Sequence, residues 1–314
     1  MALADAGLDC DAGKRFLAIV NPAAGGGRCG RRAPGILAAL RSAGIEVDTA
    51  ETRSPGEATW IARHAYAAGR RRLLAVGGDG TSFEIINGVF PQALVHGRVT
   101  LGFLPLGTGN SFLRDFMAAG ADPVEHALEA IGSGRTQRCD VIRLEYTGGV
   151  LYYINLLSLG FTAEVATLVN RRFKKLGPLG YLLGVLVCLA RLSPRAFPFR
   201  GQGEAEFDRR PCLFVTFSNS KFTGGRMMIA PLASATDGQV EMVRWGPIGR
   251  PGLLYNLPRL FDGSHIHHPL AERQATQRVE FALDGPVEVM VDGEVKRLQC
   301  VGATVFPGAF DAIV

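Results

Sequence analysis

The feature that most constrains the fold is an alternation of short apolar runs with helix-like segments in the first part of the chain. Apolar runs read RFLAIV, IEVDTAE, RLLAV and VTLGFLP, and helical stretches such as ILAALRSAG, TSFEIINGVF and NSFLRDFMAAG follow them. A further stretch, PGEATWIARHAYAAG, has Pro55 near its start and Gly69 just past its end, the positions that these two residues favour in a helix. Strands alternating with helices at this spacing form right-handed βαβ units. We therefore predict a parallel sheet with helices over residues 1–139.

The pattern changes after Cys139. Six apolar runs separated by turn residues follow, DVIRLEY, VLYYINLLSLGF, CLFVTFSNS, GQVEMVRW, QRVEFAL and VEVMVDGE. One helical stretch, Glu164–Leu192, interrupts them. Such a series predicts a mostly antiparallel β domain over residues 140–314.

Composition narrows the class of protein. Apolar residues make up 47% of the 314 residues and charged residues 20%, which is enough for a substantial core. The net charge of +5 favours anionic partners such as nucleotides, phosphates or acidic lipid headgroups. The six scattered cysteines form no C-x-x-C pair, and the N-terminus lacks the pattern of a signal peptide. The apolar run Leu176–Ala190 is shorter than the roughly 20 residues of a membrane-spanning helix, so we expect a cytoplasmic protein.

Three glycine-bearing segments each follow a predicted strand. They are Asn21–Gly30 (NPAAGGGRCG), Gly77–Thr81 (GGDGT) and Pro105–Phe112 (PLGTGNSF). Ligands of an open parallel sheet bind outside the carboxyl ends of its strands. Glycine lets backbone N–H groups approach phosphate oxygens, and each segment leads into a helix N-terminus that favours anions. One such segment alone is equally a tight turn, but three at one edge predict a phosphate-binding site.

Two partial motifs carry less weight. Gly25–Gly30 fits G-x-G-x-x-G, with Glu46 and Asp48 near the distance of a ribose-binding acid, but this pattern alone is weak and leaves the other two segments unexplained. Gly13-Lys14 resembles the end of a P-loop. Arg15 follows it instead of Ser or Thr, and the pair precedes its strand, so we reject a Walker site.

The ordered set NPAAGGGR, GGDGTSFEIINGV and LPLGTGNSFLRDF resembles the diacylglycerol kinase catalytic-domain family, which includes soluble bacterial lipid kinases and is related to sphingosine and ceramide kinases. The stretches NLLSLGFTAEV, TGGRMMIAPLASATDGQVEMV and VDGE extend the resemblance over nearly the whole chain. GGDGT alone is shared with NAD kinases and phosphofructokinases. The resemblance implies a Rossmann-like or phosphofructokinase-like α/β ATP-binding domain over residues 1–139. It also implies an antiparallel β-sandwich lipid-substrate domain over residues 140–314, with the return of its last residues to the first domain left open.

The activity implied by the resemblance is transfer of the γ-phosphoryl group of ATP, with Mg²⁺, to a hydroxyl of a lipid such as diacylglycerol or a sphingoid or ceramide lipid. The family's nucleotide-binding positions match Asn21, Pro22, Gly25, Thr52, Gly77, Gly78, Gly80, Thr81 and Thr108.

Two carboxylates are the candidate catalytic residues. Asp79 would be repelled by a phosphate, so it acts through Mg²⁺ or organises the loop amides, and a helix N-cap is the plain structural alternative. Glu294 of VDGE matches the family's general base, which takes the proton of the lipid hydroxyl. Support or substrate roles are expected for Glu84, Asn87, Asn110 and Asp292.

A second, structural Mg²⁺ site matches Asp237, with backbone carbonyls of Ser234 and Gln239 as further ligands. An Asp-Gly turn is the alternative for Asp237. The HIHHP stretch lacks other residues at ligand spacing, and we interpret it as a solvated loop.

The chain departs from the family pattern at two places. Ser111-Phe112-Leu113-Arg114 stands where many members have Asp-Phe-Ala-Arg, and Ser82-Phe83 replaces Leu-Asn. These changes bear on the identity of the acceptor more than on the reaction.

Partners follow from the same residues. Basic residues precede the apolar run at 176–190 and suit either docking on an anionic membrane or a buried helix, namely Arg171, Arg172, Lys174 and Lys175. Docking would place the protein peripherally at the inner membrane surface, and a homodimer is left open. Nucleic acid is not expected, because no aromatic–basic platform is present. An NAD kinase and a non-catalytic nucleotide- or lipid-binding regulator are the alternative functions.

Overall fold

A computed structural model describes residues 15–160, 193–224 and 226–314. The chain forms two compact units, one comprising residues 1–139 with 309–314 and the other residues 140–308. The helix expected over 164–192, with its basic cluster and apolar run, lies outside the described residues.

The first unit contains the expected parallel sheet, in the order β2-β1-β3-β4 with the end of β19 beside β4. Its strands are β1 (Phe16–Val20), β2 (Val47–Glu51), β3 (Arg72–Gly77), β4 (Thr100–Pro105) and the end of β19 (Cys300–Ile313). The central strands β1, β3 and β4 are buried over nearly their whole length, because helices cover both faces of such a sheet. The parallel sheet is thus confirmed.

Helices alternate with these strands. They are α1 (Arg28–Ser42), α2 (Glu57–Ala67), α3 (Asp79–Val89), α4 (Gln92–Val95), α5 (Ser111–Arg114) and α6 (Pro123–Ser133). Helix α6 begins at a true cap, since the side chain of Asp122 accepts the N–H groups of Val124 and Glu125 at 2.8 and 3.0 Å. The prediction of one long helix over NSFLRDFMAAG is wrong. The observed helix α5 ends at Arg114, where the chain changes to i→i+3 hydrogen bonds such as that from Phe116 N–H to Leu113 O.

The second unit is mostly antiparallel, as predicted. A six-stranded sheet has the order β15-β14-β11-β7-β17-β18, and β16 pairs with both β9 and β19 while β5 pairs with β6. Its strands are β5 (Thr136–Tyr146), β6 (Gly149–Tyr153), β7 (Leu156–Gly160), β8 (Arg195–Ala196), β9 (Phe199–Gly201), β10 (Pro211–Cys212), β11 (Phe214–Ser218), β12 (Phe222–Thr223), β13 (Met227–Met228), β14 (Val240–Trp245), β15 (Ala271–Thr276), β16 (Arg278–Phe281), β17 (Val287–Val291) and β18 (Glu294–Leu298).

Two short helices, α7 (Arg250–Asn256) and α8 (Arg259–Asp262), and a 3-10 turn at Ser264–His267 follow β14. Leu253 and Leu260 of these helices pack in a core cluster with Phe214, Ile229 and Trp245. Within the described ranges, no helix has both the length and the apolar character needed to cross a membrane.

Candidate active site

The first glycine segment is shaped by three consecutive residues with positive φ. Gly25, Gly26 and Gly27 have φ values of 61°, 67° and 83°, in the left-handed region that favours glycine. A Cβ on Gly25 would come within 2.7 Å of the carbonyl oxygen of Leu106, so close approach also excludes a side chain there. At the start of the segment, Asn21 donates its N–H to Val76 O at 2.9 Å, which fixes the segment to the end of β3.

The three glycine segments meet at the carboxyl edge of the sheet. Gly107 N–H donates to Gly77 O at 2.7 Å, and a Cβ on Gly107 would lie 2.7 Å from the nitrogen of Gly78. Arg28, at the start of α1, donates from Nη2 to Gly107 O at 2.8 Å. We call residues 21–27, 77–81 and 105–111 the glycine rim.

The rim offers hydrogen-bond donors suited to an anion. Within the described part of the chain, several of its backbone N–H groups donate to no protein acceptor, namely those of Gly25, Gly26, Gly78, Gly80, Thr108 and Gly109. The first turn of α3 adds the positive end of a helix dipole. A phosphate chain is the kind of ligand that such a set of N–H groups binds.

Asp79 ties two segments of the rim together. Its Oδ1 accepts the N–H of Ser111 at 2.7 Å, and its Oδ2 accepts the hydroxyl of Ser111 at 3.0 Å. Burial raises the pKa of Asp79 to about 6, although the hydrogen bonds from Ser111 and the charge of Arg114 oppose the increase. The carboxylate does not cap its own helix, whose N-cap is Gly78. It therefore organises the loops.

Of the remaining predicted nucleotide residues, Thr108, Thr52 and Pro22 lie on or beside the rim, and Thr81 is buried. Thr108 is exposed on the rim, and Thr52 lies beside the first segment because its N–H donates to Val20 O at 2.8 Å. Pro22 accepts the N–H of Gly30 at 3.1 Å. Thr81 differs, since its side chain is buried and its hydroxyl has no hydrogen-bond partner among the described residues.

The support residues brace the backbone. Glu84 accepts the N–H groups of Gly56 and Ala58 at 2.8 and 3.1 Å, so α3 caps the N-terminus of α2. Asn110, with φ 54°, donates from Nδ2 to Pro105 O and Gly107 O, both at 3.3 Å.

Asn87 makes a hydrogen bond to its own helix. Its Nδ2 donates to Phe83 O, one turn earlier in α3, at 2.8 Å.

In the second unit, Glu294 stands directly after a two-residue hairpin turn. Asp292 and Gly293 have φ values of 47° and 86°, and Val291 pairs with Glu294 across the turn. Glu294 is exposed at the start of β18.

Asp292 is buried and accepts three backbone N–H groups, from Ile154 at 2.9 Å, Asn155 at 2.8 Å and Leu156 at 3.0 Å. These bonds break the expected single strand VLYYINLLSLGF into β6 and β7. They also show Asp292 as the anchor of the turn that carries Glu294. A role for Asp292 in positioning Glu294 is one of the two expected from the sequence. Its backbone partners were not predicted, because nothing in the sequence relates Asp292 to residues about 137 positions away.

The expected metal residues lie in one turn, in which Asp237 is exposed and Ser234 and Gln239 are half-buried. Asp237 Oδ1 accepts the N–H of Gln239 at 2.9 Å, and Ser234 Oγ lies 3.1 Å from Thr236 Oγ1. The described residues contain no group of three His, Cys, Asp or Glu side chains that could hold a metal. A site built from carbonyl oxygens at Ser234 and Gln239 stays a prediction.

The solvated-loop interpretation of HIHHP is wrong for its first histidine. His265 is fully buried, with Nε2 at 3.1 Å from Ile229 O and Nδ1 at 3.3 Å from Arg259 O. Burial lowers the pKa of His265, and its ring packs against Trp245 with ring centroids 5.7 Å apart. It is a core residue of the second unit.

Comparison with known proteins matches both units. Residues 15–144 match the family model of the diacylglycerol kinase catalytic domain, and residues 155–314 match that of the YegS C-terminal NAD kinase beta sandwich-like domain. The fold thus belongs to a lipid kinase. The chain is a member of the diacylglycerol kinase family.

Individual relatives agree with this assignment. A diacylglycerol kinase of Mycobacterium tuberculosis is 28% identical over 282 residues, covering 89% of this chain and 88% of the relative. A probable lipid kinase YegS-like protein of Xanthomonas campestris is 30% identical over 292 residues, with 87% and 89% coverage. In fold, a putative diacylglycerol kinase of Bacillus anthracis has a TM-score of 0.76 at 23% identity, covering 96% of this chain and 97% of that chain. The non-catalytic alternative is therefore set aside.

Proposed function

We propose that the protein transfers the γ-phosphoryl group of ATP to a hydroxyl of a membrane-derived lipid, with diacylglycerol and sphingoid or ceramide lipids as the candidate acceptors. The observation that carries this proposal is the glycine rim, where three segments meet and several backbone N–H groups donate to no acceptor among the described residues. Family membership supports a lipid as the acceptor.

The residues of the rim fit a nucleoside triphosphate. The N–H groups of the first segment and of the first turn of α3 would hold phosphate oxygens, with Thr52 and Thr108 beside them. This proposal keeps Asn21, Pro22, Gly25, Gly77, Gly78 and Gly80 as nucleotide residues. For Thr81 it keeps only a role in shaping the segment, because that hydroxyl is buried against Gly77.

Mg²⁺ fits the chemistry of Asp79. Each of its carboxylate oxygens accepts one hydrogen bond from Ser111 and has a further lone pair for a cation. When bound there, the cation would neutralise charge on the transferred phosphoryl group. The chain's own part is to hold Asp79 in place through Ser111.

Glu294 is the proposed general base. Its exposed carboxylate is open to a lipid hydroxyl, and Asp292 holds the turn that presents it. We predict that Glu294→Gln abolishes phosphoryl transfer but retains ATP binding. Isothermal titration with a non-hydrolysable ATP analogue, beside a lipid kinase assay, separates the two effects. Glu288→Gln, on the preceding strand of the same hairpin, is the matched control and should keep full activity. Loss of nucleotide binding in Glu294→Gln would mean a structural role instead.

The function itself is tested by incubating the protein with radiolabelled ATP, Mg²⁺ and a total lipid extract, and identifying the labelled lipid by mass spectrometry. A parallel reaction contains NAD, because the second unit matches a domain described as NAD kinase-like. Label in a lipid and none in NADP supports the proposal. Label in NADP alone would replace it with the NAD kinase function.

A further inference from the structure

Exposed apolar side chains are concentrated in one part of the second unit. Five large ones lie between residues 232 and 270, namely Leu232 (52% exposed), Leu254 (54%), Tyr255 (77%), Phe261 (49%) and Leu270 (40%). Single exposed apolar residues are ordinary on protein surfaces, but contiguous ones mark an interaction site.

Three of the five lie on one helical segment. Helices α7 and α8 are joined by Leu257 and Pro258, whose backbone angles (φ −54°, ψ −42° and φ −58°, ψ −31°) are themselves helical. Residues 250–262 therefore follow a nearly continuous helical path, which we call the 250–262 segment.

The 250–262 segment has an inner and an outer face. Leu253, Leu257 and Leu260 recur at helical spacing and pack on the core cluster. Residues seven apart on a helix face the same side, so Leu254 and Phe261 lie together on the outer face, and Tyr255 adjoins Leu254.

Leu232 adjoins the end of this segment. Gly263, directly after α8, packs so closely on Pro231 that a Cβ there would lie 2.6 Å from Pro231 Cγ. The neighbouring Leu232 thus extends the apolar surface beyond Phe261.

The charges on the 250–262 segment and on the residues next to it in sequence are mostly positive. Arg250 and Arg259 belong to the segment, and Asp262 is the one acidic residue between positions 246 and 270. Asp262 Oδ1 accepts the N–H of Ser264 at 2.8 Å. Arg226 is exposed directly before β13, the strand against which α8 packs. A helix with an apolar outer face and flanking arginines has the composition of an interfacial membrane helix.

We propose that the outer face of the 250–262 segment docks on a membrane surface that contains anionic lipids. Leu254, Tyr255 and Phe261 enter the boundary between headgroups and acyl chains, while Arg250 and Arg259 meet lipid phosphates. A second copy of the chain fits less well, because a symmetric contact would bring the same arginines together. The inference rests on the proposed function in one respect, that the acceptor is a lipid of that membrane.

Cosedimentation with vesicles tests the docking directly. The full chain should bind vesicles of phosphatidylcholine and phosphatidylglycerol more tightly than vesicles of phosphatidylcholine alone. The variant L254S/Y255S/F261S should bind the anionic vesicles at least about 10-fold more weakly. R250E/R259E should lose the preference for anionic vesicles. The matched control Val95→Ser removes a side chain that is 75% exposed in the first unit and should leave binding unchanged.

Several outcomes would overturn the proposal. One is the absence of vesicle binding by the wild-type chain, and another is equal binding by the triple variant. A third is a change of oligomeric state in light scattering without a change in vesicle binding, which would assign this face to a second copy. If thermal unfolding shows that the triple variant is not folded, Tyr255→Ser alone provides the test, because this side chain is 77% exposed.

A kinase assay separates this inference from the proposed function. With long-chain diacylglycerol in anionic vesicles, the triple variant should be at least about 5-fold slower than wild type, since it reaches the surface less often. With a short-chain diacylglycerol dissolved as monomer, the two rates should be equal. If wild type phosphorylates neither acceptor, the proposed function fails, while vesicle binding still decides the docking. Equal slowing with both acceptors would overturn docking as the cause.

Discussion

Ser111 and Asp79 form the closest side-chain pairing in the glycine rim. Both hydrogen-bond donors of the serine, its N–H and its hydroxyl, go to the two oxygens of the aspartate. Burial raises the pKa of this carboxyl to about 6, so its ionisation in the folded protein costs free energy. The two hydrogen bonds from the serine reduce that free-energy cost. A carboxylate at position 111, as many family members have, would instead repel Asp79.

We predict that Asp79→Asn abolishes transfer and does not weaken the fold. The asparagine keeps the shape and removes the charge. Its oxygen can still accept the N–H of Ser111, and its Nδ2 can donate to the hydroxyl oxygen of Ser111, so no donor loses its partner. Because the folded-state pKa of Asp79 is raised from 3.8 to about 6, the wild type loses stability as pH rises through this window. The variant should therefore be at least as stable as wild type at pH 7.5 and should lose that advantage at pH 4. Urea unfolding of both proteins at pH 7.5 and at pH 4 measures this difference in stability. Full turnover by the variant would refute the functional role of Asp79.

Ser111→Ala should reduce the turnover rate by about 10-fold. The variant retains the N–H bond to Asp79 and loses the hydroxyl bond of 3.0 Å, and a hydrogen bond to a charged group contributes about 1.5–3 kcal/mol. Ser133→Ala is the matched control, since its hydroxyl also makes a 3.0 Å bond, to Ala130 O, on helix α6. Initial rates at saturating ATP compare them. Equal rates for both variants would mean that Asp79 does not need the hydroxyl.

For single residues, the sequence predicted Asp79 and Glu294 as candidate catalytic carboxylates, but it did not predict the residues that hold them in place. Asp79 follows from its position among glycines after a strand. Its partner Ser111 is 32 positions away and is visible in the sequence only as a departure from the family pattern. The burial of His265 was missed for a similar reason, since its contacts Ile229 and Trp245 come from other elements.

Among the elements, the β17–β18 hairpin shows how one buried residue positions an exposed one. The Asp-Gly turn that joins its strands presents Glu294, and the buried Asp292 fixes the turn to residues 154–156. The hairpin is therefore held at its tip as well as along its strands.

Asp292→Asn should destabilise the protein by about 3 kcal/mol. The amide nitrogen of asparagine cannot accept a hydrogen bond, so at least one of the three backbone donors loses its partner, and the remaining bonds lose the charge. Chemical denaturation measures the change. The control is Asp284→Asn, at an exposed site shortly before β17. It should change the free energy of unfolding by no more than about 0.5 kcal/mol. A loss below about 1 kcal/mol for Asp292→Asn would contradict the anchoring role.

The sequence predicted most accurately those strands in which an apolar run is followed by glycine or proline, such as β1, β3 and β4. Strand β18 (EVKRL) was missed because it has no apolar alternation, and it forms because the Asp-Gly turn folds it back on β17. Strand β19 contains Pro307 and Gly308, which weaken a strand pattern, yet it runs from Cys300 to Ile313.

On the scale of the whole molecule, the chain passes between the two units twice, at residues 139–140 and 308–309. Asp140 lies at the first passage and accepts the N–H of Gly308, at the second, at 2.7 Å. The fold class was predictable, because the change from alternating to antiparallel patterning is a property of long stretches. The return of residues 309–314 was left open at the sequence level, because their partner β4 is distant in sequence, and the structure places them with the first unit.

Phe310→Ala should destabilise the first unit by about 3–5 kcal/mol. The side chain is fully buried and its ring lies 5.9 Å from that of Phe112, between centroids, so its removal leaves a cavity. Val301→Ala, a truncation in the same strand at a site 47% exposed, is the control and should have little effect. Thermal unfolding compares the two. A similar small shift for both would mean that the end of β19 does not complete the core.

The pairing of β19 with β4 also sets the order in which the protein can be completed during its synthesis. Residues 311–313 leave the ribosome about 200 residues after β4, which at about 5–20 residues per second is a delay of about 10–40 s. For that time the nascent first unit has an open strand edge, a surface prone to pairing with other chains. The unit that is made first is therefore the one that is finished last.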